Sequence, residues 1–414
     1  MFVNVSGAYG GVEHVIETYA RELTARGIDV LSLCNSFTGV EVHRDQLRRD
    51  GVQCADIELG NQRVYFPKAR SETGRVIPTD DKNACRNVFL RNVYGKFATP
   101  AKMRIWKLVQ DCRWERIFRS VFIEHIKESD IIIFRAGFYG WLPGACNAAR
   151  KLHLSPQTIL ILGNLPVFYP PGRAERRMFN TLDVSVFASS CLKYDWIKQT
   201  HSQNIRAEII PNPVDVKQVR AKADAFNNSN GSGVRIVTLG RLSEVKGIKY
   251  LIKAFVLLKN SDSKCHYTLT IIGDGSERPY LENMVEEFNM SDAVTFIGEQ
   301  TNPYPYLKSA DIFVQPSLHE GFGVSIVEAM LLGAAVIASN VGGIPDIIQS
   351  EVNGLLVKPA DEQTLARAVC RLAADPALRR YLIKRACKDA EDRYDVAVIT
   401  SRLLESLEQR KQSR

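Results

Sequence analysis

Residues 317–330 read SLHEGFGVSIVEAM, and they follow a short, mainly apolar run, IFVQ, at 312–315. Such a run is typical of a buried parallel strand. Gly321 and Gly323 interrupt the pattern, and from Val324 onward apolar residues recur at helical spacing. The stretch therefore predicts a buried strand, a glycine turn, and a helix that starts near residue 322 or 323.

The glycine turn before this helix has the features of an anion site. A helix start flanked by glycine leaves backbone N–H groups free and presents the positive end of the helix dipole, which favours phosphates. Glu320 lies in the turn, and Glu328 lies more than one helical turn into the helix. Because open parallel sheets bind ligands at the carboxyl ends of their strands, we expect both carboxylates to face one crevice.

The alternation of strand and helix extends in both directions from this stretch. A turn cluster, PNPVD at 211–215, ends the first half, and the Gly/Ser-rich segment 227–233 is the best candidate for a linker. Strand candidates lie at 2–6, 30–34, 131–134, 159–162, 184–188 and 208–210, and then at 235–239, 267–272, 294–297, 312–315 and 336–339. This pattern predicts an α/β protein with two parallel-sheet domains and a cleft between them.

Size and composition fit a two-domain globular protein. The chain has 414 residues, more than one hydrophobic core usually holds. The formal net charge of +8 is modest for this length, so it argues against a nucleic-acid partner but suits an anionic substrate or membrane surface. Nine scattered cysteines and a start without a basic, apolar leader favour a cytoplasmic location, with peripheral contact at the inner face of the membrane as a further expectation.

A second glycine turn lies near the start of the chain. Gly10 and Gly11 follow the first strand candidate and precede a helical pattern that Gly27 ends. This βαβ arrangement offers another helix start suited to phosphates. The alternative is that the glycines only allow close packing of the turn.

Two features of the first half suggest binding surfaces. The helical pattern at 102–126 combines basic residues with Trp106 and Trp114, a combination that suits anionic lipid headgroups. A solvated face with packed aromatic residues explains it equally well. Arg135 follows the strand candidate 131–134, so it either faces the crevice or is a surface arginine.

Arg241 and Lys246 are candidates for binding a diphosphate in the second half. Arg241 follows a strand and Lys246 opens the next predicted helix. Two fixed cations can bind a diphosphate and stabilise the charge that develops when it leaves. Taken singly, each residue has a structural explanation, either a solvated lysine or an arginine in an ion pair.

The carboxylates of Glu320 and Glu328 suit a nucleotide ligand. Glu328 would accept hydrogen bonds from ribose hydroxyls, and Glu320 would contact a sugar. The alternative is that Glu328 only complements the helix dipole. The sequence has no Asp-x-Asp pair after a strand, no P-loop, no Gly-x-Ser-x-Gly and no full Gly-x-Gly-x-x-Gly, which argues against a dedicated magnesium site, an NTPase, a hydrolase and a dehydrogenase.

Together these motifs resemble glycosyltransferase family 4. The motifs are Glu320 with Glu328, Arg241 with Lys246, GGVE at 10–13, Pro211 and Asn212 with Asp215, and GGIP at 342–345. The resemblance covers most of the chain and is most specific over 240–359. It implies the GT-B fold, with two Rossmann-like domains whose parallel sheets face an inter-domain cleft. Residues 1–213 would bind the acceptor, 214–394 would bind the donor, and a helix at about 395–414 would pack back on the first domain.

The resemblance also implies a retaining, metal-independent transfer from a nucleotide sugar, such as a UDP- or GDP-sugar, to a glycan or lipid-linked acceptor, without a further cofactor. Arg241, Lys246 and Glu320 would form the catalytic set, with the two cations on the diphosphate and Glu328 on the ribose. The remaining donor-binding residues would be Gly10, Gly11, Gly321, Phe322, Gly323 and Val324. Arg135 would lie on the acceptor side.

The sequence departs from the family pattern at three places. Arg135 and Ala136 stand where members commonly carry a histidine, Asp346 replaces the usual glutamate after Gly-Gly-x-Pro, and the short first strand suggests a clipped start. The missing histidine leaves open a catalytically inactive, glycosyltransferase-like binding subunit. A GT-B-fold epimerase is a third reading, and the family 4 motifs fit it less well.

Overall fold

The computed structural model describes residues 2–3, 11–35, 47–57, 115, 119, 131–135, 147–148, 157–162, 184–200, 206–224, 233–261 and 266–411. The chain divides into two compact units. The N-terminal unit comprises Met1–Ala188, Leu192–Ile210 and Leu404–Arg414, and the C-terminal unit comprises Ser189–Cys191 and Pro211–Leu403.

The N-terminal unit contains a parallel sheet in the order β3-β2-β1-β4-β5-β6-β7. Its elements are β1 (Phe2–Val3), α1 (Gly11–Ala25), β2 (Leu31–Asn35), β3 (Gln53–Ile57), β4 (Ile131–Arg135), β5 (Gln157–Leu162), β6 (Val184–Phe187), α2 (Ser190–Thr200) and β7 (Ala207–Ile209). Helix α1 forms where the apolar residues recur at helical spacing, and that face is buried at Val15, Ile16, Tyr19 and Leu23. The predicted βαβ start is therefore present.

The C-terminal unit repeats this plan with the order β10-β9-β8-β11-β12-β13, again all parallel. Its elements up to the site are α3 (Val216–Ala223), β8 (Val234–Leu239), α4 (Ile248–Ser261), β9 (Tyr267–Ile272), α5 (Arg278–Glu287), β10 (Val294–Gly298), α6 (Tyr304–Ser309), β11 (Ile312–Gln315) and α7 (Val324–Leu331). Beyond them lie β12 (Ala335–Ser339), α8 (Ile344–Ile347), β13 (Leu355–Val357), α9 (Glu362–Ala374), α10 (Pro376–Tyr394) and α11 (Val396–Lys411).

The core of the C-terminal unit lies between this sheet and the helices on one of its faces. Ile236, Leu269, Val314 and Ile337 come from four adjacent strands and are each at most 1% exposed. Successive side chains of a β-strand point to opposite faces of the sheet, so the residues next to these four in sequence face the other side. Burial on both faces explains why the strands read as nearly continuous apolar runs.

In both sheets the next two strands of the chain are added on one side of the first strand, and the later strands are added on its other side. The change of direction falls between β1 and β4 in the first sheet and between β8 and β11 in the second. Loops after such a pair of strands diverge and leave a crevice, the usual ligand position in doubly wound folds. The loops after β8 and β11 carry Arg241, Lys246 and the glycine turn 321–323, which belong to the predicted donor site.

Two element boundaries test the sequence patterns closely. Helix α7 begins at Val324 with Gly323 as its N-cap, so the predicted glycine-led helix start is confirmed. The prediction that Lys246 opens a helix is wrong, because Lys246 ends a 3₁₀ turn at Glu244–Lys246 and α4 begins at Ile248. Between them Gly247 has a φ of 64°, in the left-handed region, so the chain turns before the helix begins.

The end of the chain forms two helices, α10 and α11. Asp395 separates them in an extended conformation, and its side chain caps α11 by accepting from Ala397 N at 2.9 Å. Val214 pairs with this junction, since its N–H donates to Tyr394 O at 2.9 Å. Among the helices of the described ranges, none is both long enough and apolar enough to cross a bilayer.

Candidate functional site

The candidate site is built from the two loops at the switch point of the second sheet. Leu318 N donates a hydrogen bond to Val245 O at 2.8 Å, which ties the loop after β11 to the loop after β8. Gly247 makes this approach possible, because a Cβ there would overlap the carbonyl oxygen of Pro316. The two loops therefore form one continuous surface at the carboxyl ends of β8 and β11.

Lys246 and Glu320 meet on this surface. Lys246 Nζ lies 2.7 Å from Glu320 Oε2, and the two side chains are 22% and 12% exposed. The aliphatic part of the lysine passes over Gly240, whose Cβ position would lie 3.6 Å from Lys246 Cε. The structure thus brings together a cation and a carboxylate that the sequence separates by 74 positions.

Arg241 lies in the same loop but is held differently. Its side chain is exposed, and no described residue forms a hydrogen bond or ion pair with its guanidinium. The backbone beside it is fixed, since Leu242 N donates to Asp274 O at 2.9 Å and Ser243 N donates to Arg241 O at 2.9 Å. Arg241 is therefore a cation on an anchored backbone, with its donors available to an anionic ligand.

Glu328 is buried rather than open to solvent. It is 6% exposed on α7, and Tyr304 OH donates a hydrogen bond to its Oε1 at 3.1 Å. Burial raises the pKa of the Glu328 carboxyl to about 7, against a smaller lowering by the Tyr304 hydroxyl. Near neutral pH this carboxyl can therefore be either protonated or ionised, and a ligand that donates hydrogen bonds would favour the ionised form.

The glycine loop between Glu320 and α7 is fixed from behind. Gly343 N donates to Glu320 O at 3.0 Å, and Ser189 Oγ donates to Gly321 O at 2.8 Å. Gly342 has a φ of 55°, and a Cβ on it would overlap the carbonyl oxygen of Glu320. The GGIP motif therefore acts as a backbone support for the loop that carries Glu320.

The end of the loop and the start of α7 combine a buried anchor with an uncapped helix start. Phe322 is 3% exposed, and its ring meets the Tyr394 ring edge-on with centroids 5.6 Å apart. Within the described ranges, no side chain caps the helix start at Gly323 and Val324. Its first N–H groups can therefore serve an anion, as the sequence pattern suggested.

Asp346, the departure from the family's glutamate, has a structural role among the described residues. Its carboxylate accepts from Ser190 N at 2.6 Å and from Ser190 Oγ at 2.7 Å. Its backbone carbonyl accepts from Tyr394 OH at 3.2 Å. The shorter side chain thus anchors the loop behind the glycine turn.

Several predicted residues are only partly covered by the structure. Gly11 is the first residue of α1 and Arg135 is the last residue of β4, which pairs with β1 at the switch point of the first sheet. Gly10, the side chain of Arg135 and almost all of segment 102–126 lie outside the described residues. Their predicted roles stay predictions.

Among the described residues, sequence reasoning missed four that support the carboxylates of the site. Tyr304 was not recognised as the partner of Glu328, and three polar residues behind Glu320 were also missed, namely Gln315, Ser317 and Ser325. The available signal was a glutamine at the end of an otherwise apolar strand, since buried polar groups need partners. Which partners they find depends on tertiary contacts.

Comparison with known proteins shows similarity in the C-terminal unit. Residues 219–389 match the model of the family glycosyl transferases group 1. An uncharacterized glycosyltransferase, MJ1607, from Methanocaldococcus jannaschii is 38% identical over 162 residues, which cover 38% of this chain and 40% of that protein. The lipopolysaccharide core biosynthesis glycosyltransferase LpsD from Rhizobium meliloti is 34% identical over 193 residues, 47% of this chain and 52% of LpsD. The chain thus spans about half the length, or less, of these curated relatives.

Solved structures resemble the chain over nearly its whole length. HepE from Anabaena, in complex with UDP and glucose, has a TM-score of 0.71 at 18% identity and covers 98% of each chain. Sucrose-phosphate synthase from Thermosynechococcus elongatus has a TM-score of 0.70 at 20% identity, covering 100% of this chain and 99% of the other. At these identities the likeness shows the fold, so the predicted α/β GT-B fold with two Rossmann-like domains is confirmed. The match to the glycosyl transferases group 1 family covers residues 219–389, which lie within the C-terminal unit.

Proposed function

We propose that this protein is a retaining glycosyltransferase. It transfers a sugar from a nucleoside-diphosphate sugar to a glycan or lipid-linked acceptor in the synthesis of polysaccharide or cell-surface glycans. The observation that carries this proposal is the Lys246–Glu320 pair, 2.7 Å apart at the sheet's switch point, beside the uncapped start of α7. The similarity to LpsD, named for lipopolysaccharide core biosynthesis, and to HepE, solved with UDP and glucose, supports the donor and the acceptor class.

In this proposal the diphosphate binds Arg241, Lys246 and the first N–H groups of α7. An ammonium has three donors, so Lys246 can keep its bond to Glu320 and still reach phosphate oxygens. When the bond between the sugar's anomeric carbon and the phosphate breaks, negative charge grows on the diphosphate. Fixed positive groups stabilise that charge more in the transition state than in the ground state.

Glu328 and Glu320 bind the other parts of the donor. Glu328 accepts hydrogen bonds from ribose hydroxyls while Tyr304 holds its other side, and Glu320 accepts from a hydroxyl of the transferred sugar. The acceptor oxygen attacks from the face that the diphosphate leaves, and its proton passes to a phosphate oxygen. The new bond therefore keeps the anomeric configuration, and no residue of the chain need form a covalent intermediate.

The proposal retains the predicted roles that the described residues leave untested. Gly10 and Gly11 bind the donor, and Arg135 lies on the acceptor side. The reaction needs no metal and no cofactor beyond the nucleotide sugar. The cytoplasmic location remains a prediction. So does the peripheral contact of segment 102–126 with anionic membrane, which co-sedimentation with anionic liposomes at low salt would test.

The test is turnover of a panel of UDP- and GDP-sugars by the full chain, with and without EDTA. We expect release of the nucleoside diphosphate from one donor, unaffected by the chelator, and a product whose anomeric configuration by NMR matches the donor. Binding without any release across donors and acceptors would support the inactive binding subunit instead. If neither binding nor release occurs with any donor, the proposed function is wrong.

A further inference from the structure

A chain of buried hydrogen bonds runs from the end of β11 to the carboxylate of Glu320. Gln315 Nε2 donates to Ser317 Oγ at 2.8 Å, and Ser317 Oγ donates to Glu320 Oε2 at 3.3 Å. Gln315 is 1% exposed and Ser317 is 0% exposed. Two buried polar side chains are thus linked by hydrogen bonds to one partly exposed carboxylate.

The direction of these hydrogen bonds is set by the Glu320 carboxylate. A carboxylate can only accept, so the single proton of the Ser317 hydroxyl is donated to it, and the bond between Gln315 and Ser317 then comes from the amide nitrogen of Gln315. The amide oxygen, Gln315 Oε1, accepts from Ser325 Oγ, on the first turn of α7, at 3.1 Å. Ser325 therefore holds the far end of the amide in this orientation.

The two oxygens of Glu320 are consequently not equivalent. Oε2 accepts from Lys246 Nζ at 2.7 Å and from Ser317 Oγ at 3.3 Å. No described residue donates to Oε1. The lysine is a flexible donor on a long stem, whereas Ser317 is anchored at a strand end, so the serine fixes the rotation of the carboxylate. Oε1 is then a single acceptor held in a defined place.

We propose that Ser317, oriented by Gln315 and Ser325, is the positioning residue that selects the transferred sugar. By holding Oε2, it fixes Oε1 as the acceptor for one hydroxyl of the donor sugar. A sugar with that hydroxyl in the opposite configuration, or without it, leaves a partly buried carboxylate oxygen unpaired and binds more weakly. The donor class is therefore a sugar with a free hydroxyl at this position, and deoxy or substituted sugars are rejected there. This inference rests on the proposed function.

The test compares binding of free nucleotide with binding of nucleotide sugar by the full chain. Calorimetry is run with UDP and GDP and, in the series that binds the unmodified chain, with UDP-glucose or GDP-mannose and their epimers at C2, C3 and C4. The two epimers followed are the parent sugar and the epimer that binds most weakly, because they differ at the hydroxyl that Oε1 accepts from. In Ser317→Ala and Gln315→Met we expect the preference between the two epimers to fall about tenfold, as for loss of one charge-assisted hydrogen bond. Affinity for the free nucleotide should stay near that of the unmodified chain.

Three further variants separate positioning from packing. Ser317→Thr keeps the hydroxyl and should restore the preference. Ser325 is partly exposed, so Ser325→Ala is less disruptive to folding. It therefore tests the series of hydrogen bonds behind Glu320 even if the variants at the buried positions do not fold. Thr238→Val removes another buried hydroxyl of the same sheet, one for which no described residue is a hydrogen-bond partner, and should leave the preference unchanged.

The outcomes are distinguishable. If Ser317→Ala or Ser325→Ala is folded and keeps the full epimer preference, the inference is wrong while the proposed function stands. Equal losses of affinity for free nucleotide and nucleotide sugar would also overturn it, since they indicate a structural role. If the unmodified chain binds neither nucleotide series, both the proposed function and this inference fail.

Discussion

Lys246 and Glu320 form an ion pair of 2.7 Å between the loop after the first strand of the second sheet and the loop after its fourth. These two strands are neighbours only because the chain crosses the sheet between them. The pair therefore exists at the one edge where the loops diverge. A diphosphate bound there would contact the ammonium of Lys246, which the Glu320 carboxylate already holds in place.

Replacing this cation should abolish most of the proposed activity. We expect Lys246→Ala to lower turnover of the nucleotide sugar about 100-fold or more, because one fixed positive group no longer stabilises the leaving diphosphate. Turnover is measured as release of nucleoside diphosphate, and the thermal unfolding midpoint checks the fold. The matched control is Lys259→Ala, which removes a lysine from a more exposed pair with Asp292. Turnover by Lys246→Ala close to that of the control would contradict the assigned role.

Glu328 should make the stability of the C-terminal unit depend on pH. Its pKa is about 7 in the folded protein and near 4.5 in the unfolded chain, so the folded state binds the extra proton between these values. Its contribution to stability is complete below about pH 4.5, falls as pH rises, and is lost above about pH 7, a change on the order of 3 kcal/mol.

The comparison that isolates this effect is Glu328→Gln, which cannot titrate. Between about pH 5 and about pH 8, the unfolding midpoint of the unmodified chain should fall relative to that of the variant. Taking the difference at each pH cancels the other titrating groups that both proteins share. Parallel pH profiles would show that the Glu328 carboxyl does not change its proton affinity on folding.

The hydroxyl of Tyr304 should set the pH range in which the donor binds. Its hydrogen bond favours the ionised carboxylate, so Tyr304→Phe should raise the pKa of Glu328 further. Ribose hydroxyls bind the ionised form best, and the rise in nucleotide affinity with pH should therefore shift to higher pH in the variant. Calorimetric titration with UDP or GDP across pH measures this shift. Tyr280→Phe, at a residue 51% exposed, is the control, and an equal profile in both variants would refute the coupling.

Local patterns in the sequence predicted the parts of the fold that short-range physics controls. Apolar runs gave β8 and β11, and the glycines before Val324 gave the start of α7, because strand burial and helix initiation depend on neighbouring residues. The helix predicted to begin at Lys246 begins instead at Ile248. Gly247 has to turn there to let the loop approach Pro316, a requirement imposed by a segment almost 70 residues further along the chain.

The sequence allowed the charged residues of the site to be predicted. It did not allow their burial or their hydrogen-bond partners to be predicted. Arg241, Lys246, Glu320 and Glu328 stand out by type and spacing. The burial of Glu328, its bond to Tyr304 and the hydrogen bonds behind Glu320 join residues from different elements, and one sequence does not show which elements meet. Polar residues such as Gln315 could be recognised as unusual, yet their partners come only from the packed structure.

Gly342 should be more sensitive to substitution than glycines with similar backbone angles elsewhere in the unit. Gly342 and Gly333 have φ values of 55° and 83°, so an alanine at either position is strained, at roughly 1–3 kcal/mol. Only at Gly342 would the new Cβ also overlap the carbonyl oxygen of Glu320, whereas at Gly333 the nearest atom is a side-chain carbon of Ile383 at 4.0 Å. Gly342→Ala should therefore lower the unfolding midpoint more than Gly333→Ala. It should also lower nucleotide affinity, because the loop that carries Glu320 has to move. If both variants lose the same stability and keep the same affinity, the GGIP segment does not support the glycine loop.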